Sequence, residues 1–295
     1  MTEVFRPRRS VLYMPGSNTR ALEKGRDLPA DALILDLEDA VAPDSKEEAR
    51  ANIAEAVKQG GYGGREIIVR VNGLETDWGR ADIEALASCG ADALLLPKVE
   101  SAAMVQQAEE LMAKAGAPDS MGIMCMMETP RGILNADEIA QASKRLVCLV
   151  MGTSDLVKEL NAEHTAQRLP VLTSLSLCVL AARAAGLAIV DGVYLDLSDE
   201  EGFAEHCRQG RELGFDGKTL IHPKTVAKAN EVFAPSPEEV AEANRVIEAH
   251  AEAVREGKGV VVLDGKLIEN LHVETAKRTV ALAEAIHELD SQAVS

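Results

Sequence analysis

Two acidic residues stand where apolar runs end. Ile123-Met-Cys-Met-Met127 stops abruptly at Glu128, and Pro130 then forbids another central-strand residue, so the run reads as a buried strand that delivers Glu128 to its carboxyl end. Leu146-Val-Cys-Leu-Val-Met151 repeats the pattern and passes through Gly152-Thr153-Ser154 to Asp155. Two carboxylates without histidine or thiolate companions suit a hard cation that keeps several waters: Mg²⁺, or Mn²⁺ in its place. The structural alternative is an ion pair such as Glu128 with Arg70.

Other groups stand at matching places. Asp36, Glu38 and Asp39 close the run Asp31–Asp36 and could hold the waters of such an ion as an outer shell. Arg70 ends Glu66-Ile-Ile-Val-Arg70 and either neutralises these acids or presents a rigid fork to an oxyanion such as an enolate oxygen. Lys98, after Pro97, reads as a structural charge partner before a catalytic group. Gly152, Thr153 and Ser154 could offer backbone N–H groups to a substrate carboxylate, or form an ordinary turn. His222 before Pro223 is a packed rim residue whose position also allows ligand contact.

The elements that must position these residues alternate. Strands are expected at Ser10–Gly16, Asp31–Asp36, Glu66–Gly73, Ala93–Leu96, Gly122–Met127, from Leu146 to Asp155, at Ala188–Leu195, and at Asp216–His222. Helices are expected between them at Thr19–Arg26 with Ser17 or Asn18 as cap, and from Asp44 or Ser45 to about Gln59 with Glu47 in a capping box. Further helices are expected at Trp78–Cys89, Ser101–Ala115, Thr173–Ala185 and Asp199–Leu213. Continuous apolar strands, each followed by a helix, indicate a parallel sheet covered on both faces. Eight units over residues 1–232 favour a closed (β/α)8 TIM barrel; the open doubly wound sheet is disfavoured because no G-x-G-x-x-G follows the first strand. Closure would bring Asp36, Glu38, Asp39, Arg70, Lys98, Glu128 and Asp155 around one mouth. Residues 233–295 form a helical segment: a hinge at Ala234-Pro-Ser-Pro237, a helix to Glu256, a short apolar run at Val260–Leu263 with a turn at Asp264-Gly265, and a helix from Val273 to Leu289. It is too small to hold a core alone and must pack on its own barrel or on a neighbour's.

Charge narrows the partners. The net charge of −17 and 3% aromatic residues argue against nucleic acid and against an anionic membrane. Residues 1–26 depart from this balance, with Arg6, Arg8, Arg9, Arg20, Lys24 and Arg26 against Glu3 and Glu23, which is 6 − 2 = +4. Such a patch suits a polyanionic small ligand, or is a solvated basic tail. The five cysteines are scattered and mostly within apolar runs, with neither zinc nor disulfide spacing. No apolar stretch is long enough to span a bilayer and the N-terminus lacks a signal core, so a cytoplasmic location is expected.

Taken together, Arg9-Ser-Val-Leu-Tyr13-Met-Pro-Gly16, Leu35-Asp-Leu-Glu-Asp-Ala-Val41, Arg70-Val-Asn72, Leu96-Pro-Lys98, Met127-Glu-Thr129, Gly152-Thr-Ser-Asp155 and Ile221-His-Pro223 resemble the citrate lyase β-subunit-like branch of the HpcH/HpaI aldolase superfamily. The match runs in order from residue 9 to the last helix. The resemblance implies a (β/α)8 barrel assembled as a homo-oligomer (trimer or hexamer), Mg²⁺ held by Glu128 and Asp155, and Arg70 on a thioester or enolate oxygen. It implies coenzyme A contacts from Tyr13, Arg20 and Lys24; Lys98, Gly152, Thr153, Ser154, Ile221 and His222 are further candidates for substrate or coenzyme A contact. It also implies that the C-terminal segment is a lid over an adjacent subunit's mouth. Relatives carry an aspartate in a Met-Ile-Asp string within that lid as acid or base; here the string reads Lys266-Leu-Ile-Glu269-Asn270. The added methylene moves the charge by about 1–1.5 Å, a shift that can decide between reactions.

The expected chemistry is retro-Claisen cleavage of a 3-hydroxyacyl-CoA of malyl-CoA, methylmalyl-CoA or citramalyl-CoA type to an acyl-CoA and a small 2-oxoacid, with Glu269 protonating the enolate. The alternatives are thioester hydrolysis at the same site and a citrate lyase β subunit acting on a citryl-carrier thioester.

Overall fold

A computed structural model describes residues 5–255, 257 and 261–292. Within the chain, Arg8–Phe233 forms one compact unit; the N-terminal residues up to Pro7 group with Ala234 onward as a second.

The first unit is built on eight strands: β1 (Ser10–Pro15), β2 (Ala32–Asp36), β3 (Glu66–Arg70), β4 (Ala93–Leu96), β5 (Gly122–Met127), β6 (Leu146–Met151), β7 (Ala188–Asp191) and β8 (Gly217–Leu220). Each pairs in parallel with the next, and β8 returns to β1 through Ser10 opposite Lys218, so the sheet is a closed barrel. The helices are α1 (Thr19–Lys24), α2 (Lys46–Gln59), α3 (Gly79–Leu86), α4 (Ala102–Lys114), α5 (Pro130–Leu134), α6 (Ala136–Ala140), α7 (Thr153–Glu159), α8 (Leu172–Ala184), α9 (Glu200–Leu213) and α10 (Val226–Phe233).

Strand side chains alternate between two apolar layers. Val11, Ile34, Ile68, Leu95, Met124, Met126, Val150 and Val190 fill the barrel interior. Leu12, Leu33, Leu35, Val69, Leu94, Ile123, Ile189 and Leu220 pack outward with the helices. A strand buried on both sides cannot show polar alternation, which is why these runs read as continuously apolar. Truncating a fully buried member such as Ile34 to alanine would cost about 2–5 kcal/mol. The interior parity continues past Ile34 to Asp36, past Ile68 to Arg70 and past Met126 to Glu128, so these polar side chains cap the core at its carboxyl end.

Several local expectations are corrected. Strand β6 stops at Met151, and Asp155 stands in the first turn of α7, because Thr153, Leu156 and Val157 bury a helical face that a strand could not present. Strand β7 stops at Asp191, leaving Tyr194 in the following loop with its ring edge-on to Phe203 and His206. The capping box at Ser45 is not made: a 3-10 turn at Pro43–Ser45 precedes α2, and Ser45 makes no side-chain cap. Pro130 does more than end a strand, since it opens α5, whose first turn Thr129 caps by accepting from the Gly132 N–H at 3.0 Å.

The second unit comprises α11 (Pro237–Arg255), a hairpin of β9 (Val261–Leu263) and β10 (Lys266–Ile268), and α12 (Asn270–Gln292). Ala243, Val246, Val273 and Ala276 make its small core, and the Arg278 guanidinium lies over the Phe5 ring, 5.7 Å from its centre. No helix among the described residues is long and apolar enough to cross a membrane.

Candidate active site

Arg70 is the hub of the barrel mouth. Its Nε and Nη2 donate to the two oxygens of Asp36 at 2.6 and 2.7 Å, a bidentate pair sealed from solvent. Asp36 also accepts the N–H groups of Glu38 at 2.9 Å and Ala40 at 3.1 Å, so its oxygens are committed to holding Arg70 and the turn after β2. That leaves Asp36 little capacity to orient waters of an ion. Burial alone would lower the Arg70 pKa; the Asp36 hydrogen bond and the surrounding negative charge carry it well above its ordinary value. The Tyr13 ring lies under the guanidinium, 4.9 Å from its carbon, and the Tyr13 hydroxyl meets Met126 Sδ at 3.5 Å. Tyr13 thus floors the site.

Glu38 links two cations. Its Oε2 lies 2.8 Å from Arg70 Nη1 and its Oε1 accepts from Lys98 Nζ at 2.7 Å. The contact at Oε2 is ionic without an aligned hydrogen bond, which leaves a buried acceptor unsatisfied. Burial raises the Glu38 pKa against the opposing pull of Arg70 and Lys98. Asp39, its side chain mostly exposed, stands 3.8 Å from Arg70 Nη1.

Lys98 has a second role that its side chain does not reveal. It adopts a left-handed backbone, φ 48°, and in that pose its N–H donates to Glu128 Oε1 at 2.8 Å. Such a conformation is costly for a residue with a Cβ and is retained where surrounding structure imposes it. Glu128 is 2% exposed, and burial pushes its carboxyl pKa up to about 7 against the Lys98 hydrogen bond, with Glu38 and Asp155 also raising it. Asp155 is therefore near enough to be felt. Gly152 lies hard against Glu128: a Cβ there would come 2.3 Å from Oε2, so only glycine leaves room for the carboxylate.

Glu128 and Asp155 are two hard oxygen donors, Glu128 buried in the mouth with one oxygen held by the Lys98 N–H and the other against Gly152, and beside them one buried Glu38 oxygen has no hydrogen-bond partner. This donor set fits Mg²⁺ or Mn²⁺. Among the described residues no three His, Cys, Asp or Glu side chains converge on one point, so such an ion would take its remaining ligands from water or from substrate oxygens.

The other expected contact residues differ in exposure and in their partners. Thr153 is buried at the start of α7, and Ser154 is exposed. Ile221 and His222 are exposed just beyond β8, and His222 Nδ1 accepts the Lys224 N–H at 3.1 Å. Arg20 and Lys24 face solvent on α1. The amino-terminal basic patch shrinks accordingly, because Arg8 pairs with Glu66 at 2.6 Å and Arg9 with Asp31 at 2.7 Å, both at the opposite end of the strands. Glu269 belongs to the second unit, exposed between β10 and α12, where its N–H donates to His272 Nδ1 at 2.9 Å.

One residue of this region gave no sequence signal. Lys46, buried at the start of α2, donates to the carbonyls of Leu37 at 2.8 Å and Glu38 at 2.7 Å, and so pins the acidic turn. Nothing distinguishes it from an ordinary surface lysine in the sequence.

Known proteins resemble this chain along most of its length. The model of the HpcH/HpaI aldolase/citrate lyase family matches residues 9–223. A (3S)-malyl-CoA thioesterase of Cereibacter sphaeroides is 54% identical over 286 residues, covering 97% of this chain and 98% of that one. The citrate lyase subunit beta of Escherichia coli is 38% identical over 284 residues, covering 95% and 94%. The crystal structure of CitE from Mycobacterium tuberculosis in complex with magnesium, acetoacetate and coenzyme A superposes with a TM-score of 0.73 at 30% identity, covering 94% of this chain and 98% of that one. With the closed barrel and these matches in agreement, the chain belongs to the HpcH/HpaI aldolase/citrate lyase family.

Proposed function

We propose that the protein is a divalent-cation-dependent enzyme that hydrolyses a short 3-hydroxyacyl-CoA thioester of (3S)-malyl-CoA type. The observation that carries hydrolysis ahead of carbon–carbon cleavage is the 54% identity, along 97% of the chain, to a (3S)-malyl-CoA thioesterase. This reverses the order favoured by the sequence motifs, where the lyase came first.

Glu128 and Asp155 would hold Mg²⁺ or Mn²⁺, which supplies Lewis acidity toward the oxygens of the hydroxyacid end. Arg70, immobilised by Asp36 and backed by Tyr13, directs its Nη1 edge to the thioester carbonyl oxygen, where negative charge develops as water adds. Glu38, whose Oε2 lacks an aligned donor and whose pKa burial raises, takes the proton of the attacking water. The carbon–sulfur bond then breaks, coenzyme A leaves as the thiolate that takes up a proton, and the hydroxyacid is released. Arg20 and Lys24, exposed on α1, suit the phosphates of coenzyme A.

Retro-Claisen cleavage is the second reading, supported by the citrate lyase subunit beta relatives. In it Arg70 steadies the enolate oxygen, and Glu269 protonates the carbon from a lid that a neighbouring subunit of a trimer or hexamer lays over the mouth. Incubation with (3S)-malyl-CoA, assaying free thiol and glyoxylate separately, distinguishes them. Thiol and malate without glyoxylate are expected; glyoxylate and acetyl-CoA without thiol would overturn hydrolysis.

A further inference from the structure

Outside the barrel ring, beneath α9, lies a second group of charges. Asp191 and Lys218 share the outward parity of Ile189 and Leu220, and both are 0% exposed. Lys218 Nζ lies 3.0 Å from Asp191 Oδ2 and 2.6 Å from His206 Nδ1. Arg168, held in a left-handed conformation with φ 55°, sets Nη1 2.8 Å from both Asp191 oxygens, and its Nε donates to Gln209 Oε1 at 2.6 Å. Buried charges of this kind seldom stabilise a fold more than apolar side chains of equal volume would; where they are kept, the conformation they specify is a reason to look for.

Here that conformation is Gly192. Its N–H donates to Asp191 Oδ1 at 2.8 Å and its carbonyl accepts from Lys218 Nζ, so the cluster grips both polar groups of one residue. A Cβ on Gly192 would stand 2.5 Å from Thr153 Oγ1 and 2.8 Å from Thr153 Cγ2, so its backbone is the surface against which Thr153 rests. Thr153 opens α7, and Asp155 follows two residues later. On the other side Gly152 touches the Glu128 carboxylate. The Gly152–Thr153 segment is therefore clasped between Glu128 and Gly192.

We propose that Asp191, Lys218, Arg168 and His206 are positioning residues: by gripping Gly192 they set the Gly152–Thr153 turn, and with it the spacing of Glu128 and Asp155 as a cation site. None of the four touches the reacting atoms. The inference rests on the reading of Glu128 and Asp155 as the cation's ligands.

The experiment measures Mn²⁺ binding by electron paramagnetic resonance, with Mg²⁺ as competitor, on the full chain and its variants, beside the thermal midpoint. Lys218→Met removes the grip, and Gly192→Ala pushes Thr153 without touching the cluster; each should weaken Mn²⁺ binding at least tenfold. Thr153→Ala removes the two atoms nearest the new Cβ and leaves the Met151 carbonyl oxygen 3.0 Å away, at the edge of an allowed contact, so adding it to Gly192→Ala should restore binding to within threefold of the parent. A lowered midpoint with Mn²⁺ affinity unchanged in both single variants would make the cluster structural only and overturn the proposal. If Lys218→Met does not fold, Arg168→Lys, which loosens the Asp191 carboxylate that accepts the Gly192 N–H, takes its place with the same expected loss. Parent protein that binds Mn²⁺ no better than Glu128→Gln would overturn the cation reading and this inference together, a result distinct from the failure of the inference by itself.

Discussion

The barrel mouth and the cluster beneath α9 are made from the same materials, an arginine, a lysine and carboxylates within hydrogen-bond reach, yet they are balanced in opposite senses. At the mouth, acids outnumber cations: Arg70 and Lys98 face Asp36, Glu38, Asp39, Glu128 and Asp155. The Glu38 and Glu128 pKa values rise, chiefly through burial, and one Glu38 oxygen is left without an aligned donor. Beneath α9, Lys218 and Arg168 share the single carboxylate of Asp191; burial opposes its charge, but the cations hold its pKa below the ordinary range. His206, desolvated and beside Lys218, has its pKa lowered to about 2 and stays neutral, its Nδ1 accepting a hydrogen bond from Lys218 Nζ. An excess of buried anion invites a cation from outside, whereas an excess of buried cation around a committed carboxylate leaves no acceptor to offer. Charge density alone does not mark a site; the sign of what is left over does.

The sharpest way to break this contrast is to remove charge from the mouth. Asp155→Ala or Glu128→Gln should lower turnover of a CoA thioester by about 100-fold or more, corresponding to roughly 3 kcal/mol of transition-state stabilisation. Both should remain folded by circular dichroism. Retained turnover in both would leave the mouth acids as ordinary ion-pair partners. Glu128→Gln carries a stability prediction as well. A carboxyl whose folded pKa is raised to about 7 from 4.5 favours the fold below pH 4.5 and loses that contribution as pH rises through 7. Without added metal, the variant's melting midpoint should therefore gain on the parent's between pH 5 and pH 8.

The cluster should answer in the other currency. Lys218→Met leaves Asp191 buried with Arg168 alone and should cost up to about 3–5 kcal/mol by denaturant titration. A neutral effect would mean that the lysine is dispensable to the stability of the fold.

Acid should separate the regions further. The folded pKa of His206 lies far below its ordinary 6.5, so the stability it contributes is present above pH 6.5 and is lost as pH falls below that value. The slope is about 1.4 kcal/mol per pH unit. His206→Gln should flatten the decline between pH 6.5 and 4.5; identical profiles would show that the parent histidine is charged in the fold. The smallest effect belongs to the rim, where Arg20→Ala should raise KM for the CoA ester a few-fold with kcat nearly unchanged, since an exposed phosphate contact contributes to binding alone.

Much of the architecture was legible from local pattern. Eight apolar runs interleaved with helical segments specify a parallel sheet, and closure of that sheet brings the carboxyl ends of its strands together, so Arg70 and Glu128 could be assigned to one mouth from the sequence. What depends on partners distant along the chain could not be read in this way. Arg8 and Arg9 looked like part of a ligand patch until Glu66 and Asp31 claimed them. Asp36 looked like a metal's outer shell until Arg70 took both its oxygens. Asp155 was assigned to a strand and stands on a helix, because burial of Thr153, Leu156 and Val157 decides that segment. Lys218 lies inside the last strand, and its meaning required Asp191, Arg168 and His206.

By itself, then, the amino-acid sequence determined the repeating strand–helix units, the closure they favour and the residues stationed at strand ends, since hydrophobic periodicity is a property of neighbours in the chain. The tertiary structure alone decided which carboxylate is spent on which cation and which oxygen is left over. The physical reason is that burial sets the strength of every charge in the molecule, and burial exists only once segments far apart in sequence have packed together.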